Sequence, residues 1–554
     1  MIIFRVLPCL RPMLPGFPRP LTSRLSPRFW IRCYFALWLL LGLLLLPGYG
    51  VSWDEPTDRT TGLISTRYVT SQVAPAWTAR QPALQNLPDF ATYSDNDHGV
   101  LFELPVCLLE QLLGLHDSRA VYLWRHGCVF LVFWMGAWAL YGLARARFQD
   151  WRLGLAASTL LLLSPRFFAE GFYNTKDIVF LAFFTLGVYT LVRLLQRPTP
   201  GRAALHGLAT AAATDVRIMG ILLLAFTLGM VALELLAAPR PDKQPGRWLR
   251  LLPVYLLVTL VAIIVGWPYL WAAPLANFQR AFASLSKFSF DADLLYFGQR
   301  VSINALPWHY IPVWVLLTTP VAYVTAALLG AGTYLAAWLR RPLAQLQPLN
   351  GRLDALFIGW LALPVLMVIV LHSVVYDGWR HLYFIYPALL LLALRGAWAV
   401  AQAARRPGWG RRLAQGAATL AAVEVLLTLG RMVAAHPQQQ VYFSFLPPAV
   451  VEQQFERDYW GLSYRAGLEW VLAHDAAPRI HLDAGQRMPM MNNVAILPAA
   501  ARQRLQLDPA AKDVYFLTAY RTHPEAYPDS LGAEVYVLRA NGVKVLSVFQ
   551  KRPW

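Results

Sequence analysis

Long apolar runs alternate with short basic connections through most of the chain, and that alternation predicts the architecture before any motif is considered. In order, the runs cover residues 33–50, 121–143, 153–168, 178–195, 203–214, 217–238, 251–272, 311–339, 354–374, 382–402 and 413–434. At a rise of about 1.5 Å per helical residue, most of them match a hydrocarbon layer roughly 30 Å thick. The expectation is an all-α polytopic membrane protein with about 11 crossings. The least certain place is "RAALHGLATAAATDVRIMGILLLAFTLGMVALELLAA", which reads either as one long helix or as a short and a longer one meeting at Asp215 and Arg217.

Charge decides that point. Residues 1–32 carry Arg5, Arg11, Arg19, Arg24, Arg28 and Arg32 and no acid, so they read as a basic cytoplasmic tail ahead of an uncleaved first span. With two helices between 203 and 238, the cytoplasmic connections hold Arg145, Arg147 and Arg152; Arg193, Arg197 and Arg202; Arg240, Lys243, Arg247 and Arg250; Arg340, Arg341 and Arg352; and Arg405, Arg406, Arg411 and Arg412. With one helix, the later clusters would move outside, against the cytoplasmic bias of positive charge.

Composition supports the membrane assignment: 57% of the 554 residues are hydrophobic and 14% charged. The net charge of +18 sits in the connections, so nucleic acid is not an expected partner. Cys9, Cys33, Cys107 and Cys128 are scattered without metal-ligand spacing.

Two long outer loops, 51–120 and 273–310, and a polar tail over 435–554 complete the plan. In the first loop "LFELPVCLLEQLLGL" has helical spacing interrupted by Glu103 and Glu110, as an interfacial helix would. The tail predicts a small α/β extracytoplasmic domain: a helix in "YRAGLEWVLAHD", a strand in "DVYFLTAYR", and a hairpin in "EVYVLRANGVKVLSVFQK" turning at Asn541-Gly542.

On this topology a set of charged residues falls on the outer side: Asp54 and Glu55, Glu103, Arg125 and His126, Lys176 and Asp177, Asp215 and Arg217, Arg380 and His381. Such a ring suits chemistry on a lipid-linked substrate, with a carboxylate taking a proton from an acceptor and cations holding a phosphate. Each member also has a plainer reading. Asp54-Glu55 would be a solvated helix cap, Asp177 an N-terminal cap with Lys176 as interface anchor, Asp215 and Arg217 a local ion pair, and "DGWRHLYFIYP" an interfacial girdle. Glu424, inside the last span, needs a partner and reads as a helix contact rather than a proton path.

The order of "WDE" after the first span, a long loop with amphipathic helices, and "SPRFFAEGFYNTKD" resembles the GT-C class of membrane glycosyltransferases, closest to the protein O-mannosyltransferase and lipid A aminoarabinose transferase superfamily in bacteria. "LPWHYIPVWVLLTTP", "WRHLYFIYPALLLLA" and "DYWGLSYRAGLEWV" extend the resemblance over nearly the whole chain. It implies a bacterial inner-membrane enzyme that transfers sugar, with inversion, from a polyprenyl-phosphate donor to a lipid, glycan or protein at the outer face. It also implies roles for residues. Asp54 becomes the general base, Glu55 its companion acid and Asp177 the second-loop acid, while Lys176, Arg217, Arg380 and His381 stand near the donor phosphate, and Glu103, Arg125 and His126 are further pocket candidates. A divalent cation held by Asp54 and Asp177, with Glu55 nearby, is the cofactor that carboxylate oxygens would suit. The tail is not a β-trefoil, which leaves a protein acceptor open. A lipid-linked sugar transporter and a non-catalytic lipid-binding subunit are the rivals; the first predicts internal repeats and midplane charges.

Overall fold

The computed structural model describes residues 26–239, 243–286, 292–511 and 513–551. The arginines before residue 26, Cys9 and Arg240 lie outside the described residues. Nine helices among the described residues are long and apolar enough to cross a membrane: Pro27–Gly48, Ser118–Phe148, Asp177–Gln196, Ile218–Ala237, Pro245–Gly266, Val321–Arg340, Leu349–Val370, Arg380–Ala403 and Trp409–Ala434. Leu44, Leu257, Leu260, Leu420 and Leu427 stand exposed on them, as lipid-facing side chains would. The chain is thus a largely helical polytopic membrane protein with a small β-containing C-terminal region.

The other two expected crossings are helical but shorter, and each break has a cause. The run at 153–168 forms Trp151–Leu162 and then Pro165–Tyr173, because Pro165 cannot continue the ladder. The run at 203–214 forms Pro200–Val216, after which Arg217 turns extended at φ −144°, ψ 132° before a 3-10 turn over Ile218–Ile221. Residues 203–238 therefore form two helices, and Gly220 packs where a Cβ would strike the Ala213 and Thr214 backbone.

Small residues bring helices together where apolar attraction between helices is weak. A Cβ on Gly396 would run into the Ala326 carbonyl, and one on Gly330 into the Leu392 carbonyl, so Val321–Arg340 and Tyr386–Ala403 touch backbone to backbone. At the end of the bundle away from Asp177, Arg147 grips Asp354 with two 2.6 Å bonds and Arg352 meets Glu234 at 2.8 Å.

Glu424 has found the partner it needed. Its two oxygens accept from the Val321 and Ala322 amides at 2.6 and 2.5 Å, capping the helix that restarts after Pro320.

Between residues 273 and 310, β1 (Asp293–Tyr296) and β2 (Gln299–Ser302) form an antiparallel hairpin. The C-terminal sheet runs β4-β3-β5-β7-β6, with β3 (Ile480–Ala484) parallel to β4 (Leu505–Leu507) and β5 (Val514–Ala519), and β7 (Val543–Lys551) antiparallel to β5 and β6 (Ala533–Ala540). Asn541 and Gly542, at φ 48° and 85°, turn the β6–β7 hairpin. The helix Ser463–His474 covers this sheet through Tyr464, Leu468 and Val471, which share a core with Leu517, Leu546 and Val548. Val441, Phe443, Phe455, Tyr459 and Trp460 belong to the main helical core, as do Ala540, Val543 and Val545 from the β6–β7 hairpin, while the second core gathers residues from Tyr464 to Val548.

Two outcomes follow from these contacts. Gly396→Val should lower the thermal midpoint of the detergent-solubilised protein sharply, since two backbones must part. Glu424→Ala, by uncapping a helix, should cost about 1–2 kcal/mol in the same measurement.

Candidate functional site

The first helix ends in a 3-10 turn at Leu46–Gly48; Tyr49 is extended, residues 50–52 carry no regular structure, and a bend at Trp53 leads to Asp54. Buried peptide groups in such a stretch need partners, and the C-terminal part of the chain supplies them. Asn493 brackets Val51, accepting from its amide and donating to its carbonyl, both at 3.1 Å. Asn492 donates to Ser52 O at 3.2 Å, Trp53 N donates to Trp460 O at 3.1 Å, and Arg465 donates to Tyr49 O at 2.6 Å. Glu55 completes the clamp: it accepts from Ser52 N at 2.7 Å and meets His126 Nε2 at 3.1 Å, both side chains fully buried. Glu55 and His126 are therefore spent on each other and on the Ser52 amide, and neither side chain reaches solvent.

Asp54 occupies the N-cap position of Glu55–Val73, yet its side chain makes no capping bond. Its Oδ2 accepts from Arg380 Nη1 at 3.0 Å instead. The same Nη1 lies 3.3 Å from Asp177 Oδ2, and Arg217 pairs with the other Asp177 oxygen. Asp177 is aimed by Asn174, whose Oδ1 accepts from the Asp177 amide at 2.7 Å and whose Nδ2 reaches Asp177 Oδ2 at 3.1 Å. Asn174 Nδ2 also donates to Glu170 at 2.7 Å, and Glu170 accepts from Tyr383 and Tyr459 hydroxyls at 2.8 and 2.9 Å. Lys176 pairs with Asp58 at 2.6 Å.

Asp54, Asp58, Asp177, Lys176, Arg217 and Arg380 thus form one cluster drawn from four distant parts of the chain. The cap, anchor, local-pair and girdle readings do not describe these side chains. Asp215, buried two residues from Arg217, does not pair with it; its Oδ2 lies where a Gly266 Cβ would be. Arg380 is buried between the Tyr376 and Trp460 rings, with its guanidinium carbon 5.0 and 4.9 Å from their centroids. His381 sits beside it, edge-on to Tyr376 at 4.6 Å. Glu103 and Arg125 form a buried pair at 2.7 Å, and Glu103 borders a cavity of about 20 Å³ shared with Asp58, His98, Thr175 and Lys176. That volume suits a single water.

Electrostatics separates the acids. Burial pushes the Asp54 carboxyl up, but the charges of Arg380 and Lys176 outweigh it and hold the group below its ordinary range. Burial also raises Glu103, and there it prevails over the pull of Arg125.

The expected cation between Asp54 and Asp177 does not fit this donor set. Arg380 already bridges those two carboxylates, and Lys176 and Arg217 balance Asp58 and Asp177. Among the described residues no group of three or more His, Cys, Asp or Glu side chains could hold a metal ion.

Several members escaped the sequence reading. Asp58 was legible in principle, since it follows Asp54 by one helical turn and so shares its face. Asp377, Glu456 and Arg521 were not. They join the cluster from the far side: Asp377 Oδ2 lies 3.2 Å from Arg380 Nε, Arg521 pairs with Asp377, and Glu456 Oε1 lies 3.4 Å from Arg521 Nε.

Residues 108–271 match the family model for dolichyl-phosphate-mannose-protein mannosyltransferase. That segment contains Arg125, His126, Lys176, Asp177 and Arg217 but neither Asp54 nor Arg380. No curated protein matches the chain. Among solved structures it is similar to ArnT from Cupriavidus metallidurans, at 14% identity over 94% of this chain and 98% of that one, with TM-scores of 0.45 for the form bound to undecaprenyl phosphate and 0.47 for the apo state. It is similar as well to the Archaeoglobus fulgidus oligosaccharyltransferase tethered to an acceptor peptide, at 10% identity over 87% of this chain and 64% of that one, TM-score 0.48.

Glu456 gives the site region a pH dependence. Burial first, and then the neighbouring Asp377, push its carboxyl from 4.5 up to about 8 against the pull of Arg521. The folded chain therefore holds a proton that the unfolded chain releases above pH 4.5. Stability should fall as pH rises from about 4.5 to about 8 and level off beyond. Thermal midpoints across that window should decline for the native chain and flatten in Glu456→Gln.

Proposed function

We propose that this protein is an inverting glycosyltransferase, taking a sugar from a polyprenyl-phosphate donor and passing it to an acceptor at the outer face of the bacterial inner membrane. The observation that carries this reading is a division of labour among three acids. Asp58 and Asp177 have side chains 1% exposed and are committed to cations, whereas the Asp54 side chain is 31% exposed. A partly exposed carboxylate beside Lys176, Arg217 and Arg380 is what proton removal from an acceptor, next to a departing phosphate, requires. The family match at residues 108–271 supports the same class.

In the reaction the acceptor oxygen or nitrogen attacks the anomeric carbon, and its proton passes to Asp54. The carbon–oxygen bond to phosphate breaks on the opposite side, and its electron pair leaves with the polyprenyl phosphate. In this reading Arg217 and Arg380 exchange carboxylate contacts for charge-assisted hydrogen bonds to that phosphate, with Lys176 adding charge. The cations that keep Asp54 ionised also make it a weak base. A bound donor phosphate offsets their charge, so the Asp54 carboxyl should rise toward a more effective range once the donor is present.

The direct test is release of free polyprenyl phosphate from labelled sugar donors by purified protein supplied with membrane extract as acceptor. Transport or simple lipid binding predicts none. Asp54→Asn should lower the rate roughly 10²- to 10⁴-fold with donor binding retained, and a normal rate in that variant would remove Asp54 from the role of base. The acid limb of kcat, which reports the donor-bound state, should lie at higher pH than that of kcat/KM.

A further inference from the structure

Arg380 is held at both ends. Its Nη1 faces Asp54 and Asp177, while its Nε faces Asp377. Asp377 is fixed in turn. It and Gly378 take positive φ values of 56° and 71°, and the Gly378 amide donates to Tyr310 Oη at 3.1 Å, so the carboxylate leaves a pinned turn. One Asp377 oxygen meets Arg380; the other meets Arg521, from the segment that follows β5 in the C-terminal sheet. Arg521 is anchored as well, its carbonyl accepting from Arg457 N at 3.3 Å and its Nε lying 3.4 Å from Glu456. Arg380 is 5% exposed, Asp377 9% and Glu456 0%, while Arg521 at 24% keeps one edge toward solvent. In so dry a setting the charge of one member is felt strongly by the next.

We propose that Arg521 is a positioning residue which, by neutralising Asp377, keeps the Arg380 guanidinium shared with Asp54 and Asp177, so that the C-terminal α/β region sets the geometry of the candidate transfer site. Without Arg521, the full charge of Asp377 competes for Arg380 and draws it away from Asp54. Arg521 need touch neither substrate for this. The proposal rests on the transferase reading only for its rate measurements.

The test uses the full chain with Arg521→Gln, Arg521→Lys, Asp377→Asn and the double variant Arg521→Gln/Asp377→Asn, with Arg539→Ala as a control on the exposed side of the same region. Arg521→Gln should lower kcat for sugar transfer roughly 2- to 30-fold. Its acid limb should also move to higher pH, because Asp54 faces Arg380, Lys176 and Asp177 and loses the first of these. Arg521→Lys should restore part of both effects, and the double variant should be no slower than Asp377→Asn alone. A folded Arg521→Gln with unchanged kcat and acid limb would overturn the proposal, as would losses that multiply in the double variant. If Arg521→Gln fails to fold, the same two quantities are read from Arg521→Lys. Full activity in Asp54→Asn would end the base assignment but leave the rate dependence on Arg521 standing. If the native chain transfers no sugar, thermal midpoints decide: Arg521→Gln and Asp54→Asn should shift them non-additively, and additively once Asp377 is Asn. Additivity in both backgrounds would refute the relay.

Discussion

One guanidinium, that of Arg380, organises the charged cluster of this molecule. A buried cation of this kind is tolerated only when opposite charges and hydrogen-bond acceptors surround it, because the cost of leaving water must be offset locally. Asp54, Asp177 and Asp377 supply the charge, and Tyr376 and Trp460 supply the aromatic faces. Those groups come from the N-cap of Glu55–Val73, the start of Asp177–Gln196, a late loop and the connection into the C-terminal region. Their meeting fixes how those parts lie against one another.

The helical scaffold was legible because lipid imposes a simple rule: long apolar runs become helices, and positive charge collects in the connections. Every predicted run is helical, including the doubtful stretch at 203–238, where the extended backbone of Arg217 separates two helices. Length was less legible than existence. Trp151–Leu162 ends early because Pro165 interrupts the run, whereas Pro200–Val216 reaches past both ends of the run at 203–214 and stops at the turn of Arg217; a proline or a tertiary contact leaves only a faint mark on hydropathy. In the tail, the Asn541-Gly542 hairpin announced itself through turn chemistry, whereas the attachment of residues 441–460 to the main core depends on packing that no local pattern records.

The candidate site shows the same division. Asp54, Lys176, Asp177, Arg217 and Arg380 stood out because charges near span ends are conspicuous, and they do converge. Glu55 and His126 stood out for the same reason but serve as a buried lock. Conspicuous charge does not distinguish a group that faces an opening from one that braces it; exposure and partners do. Asp377, Glu456 and Arg521 sit in polar surroundings where charged residues are ordinary, so nothing in composition or spacing marked them.

The irregular segment that delivers Asp54 has a consequence for how the molecule comes into being. The amides and carbonyls of Val51 and Ser52 are satisfied largely by Asn492 and Asn493, more than four hundred positions later. During synthesis the first span is in the bilayer long before those asparagines leave the ribosome. Until then Val51 N, Val51 O and Ser52 O lack these partners, and only Ser52 N has a local one, in Glu55. The acidic centre is therefore among the last features to be organised, and a nascent chain halted before residue 492 would carry its helices without a working arrangement of charge.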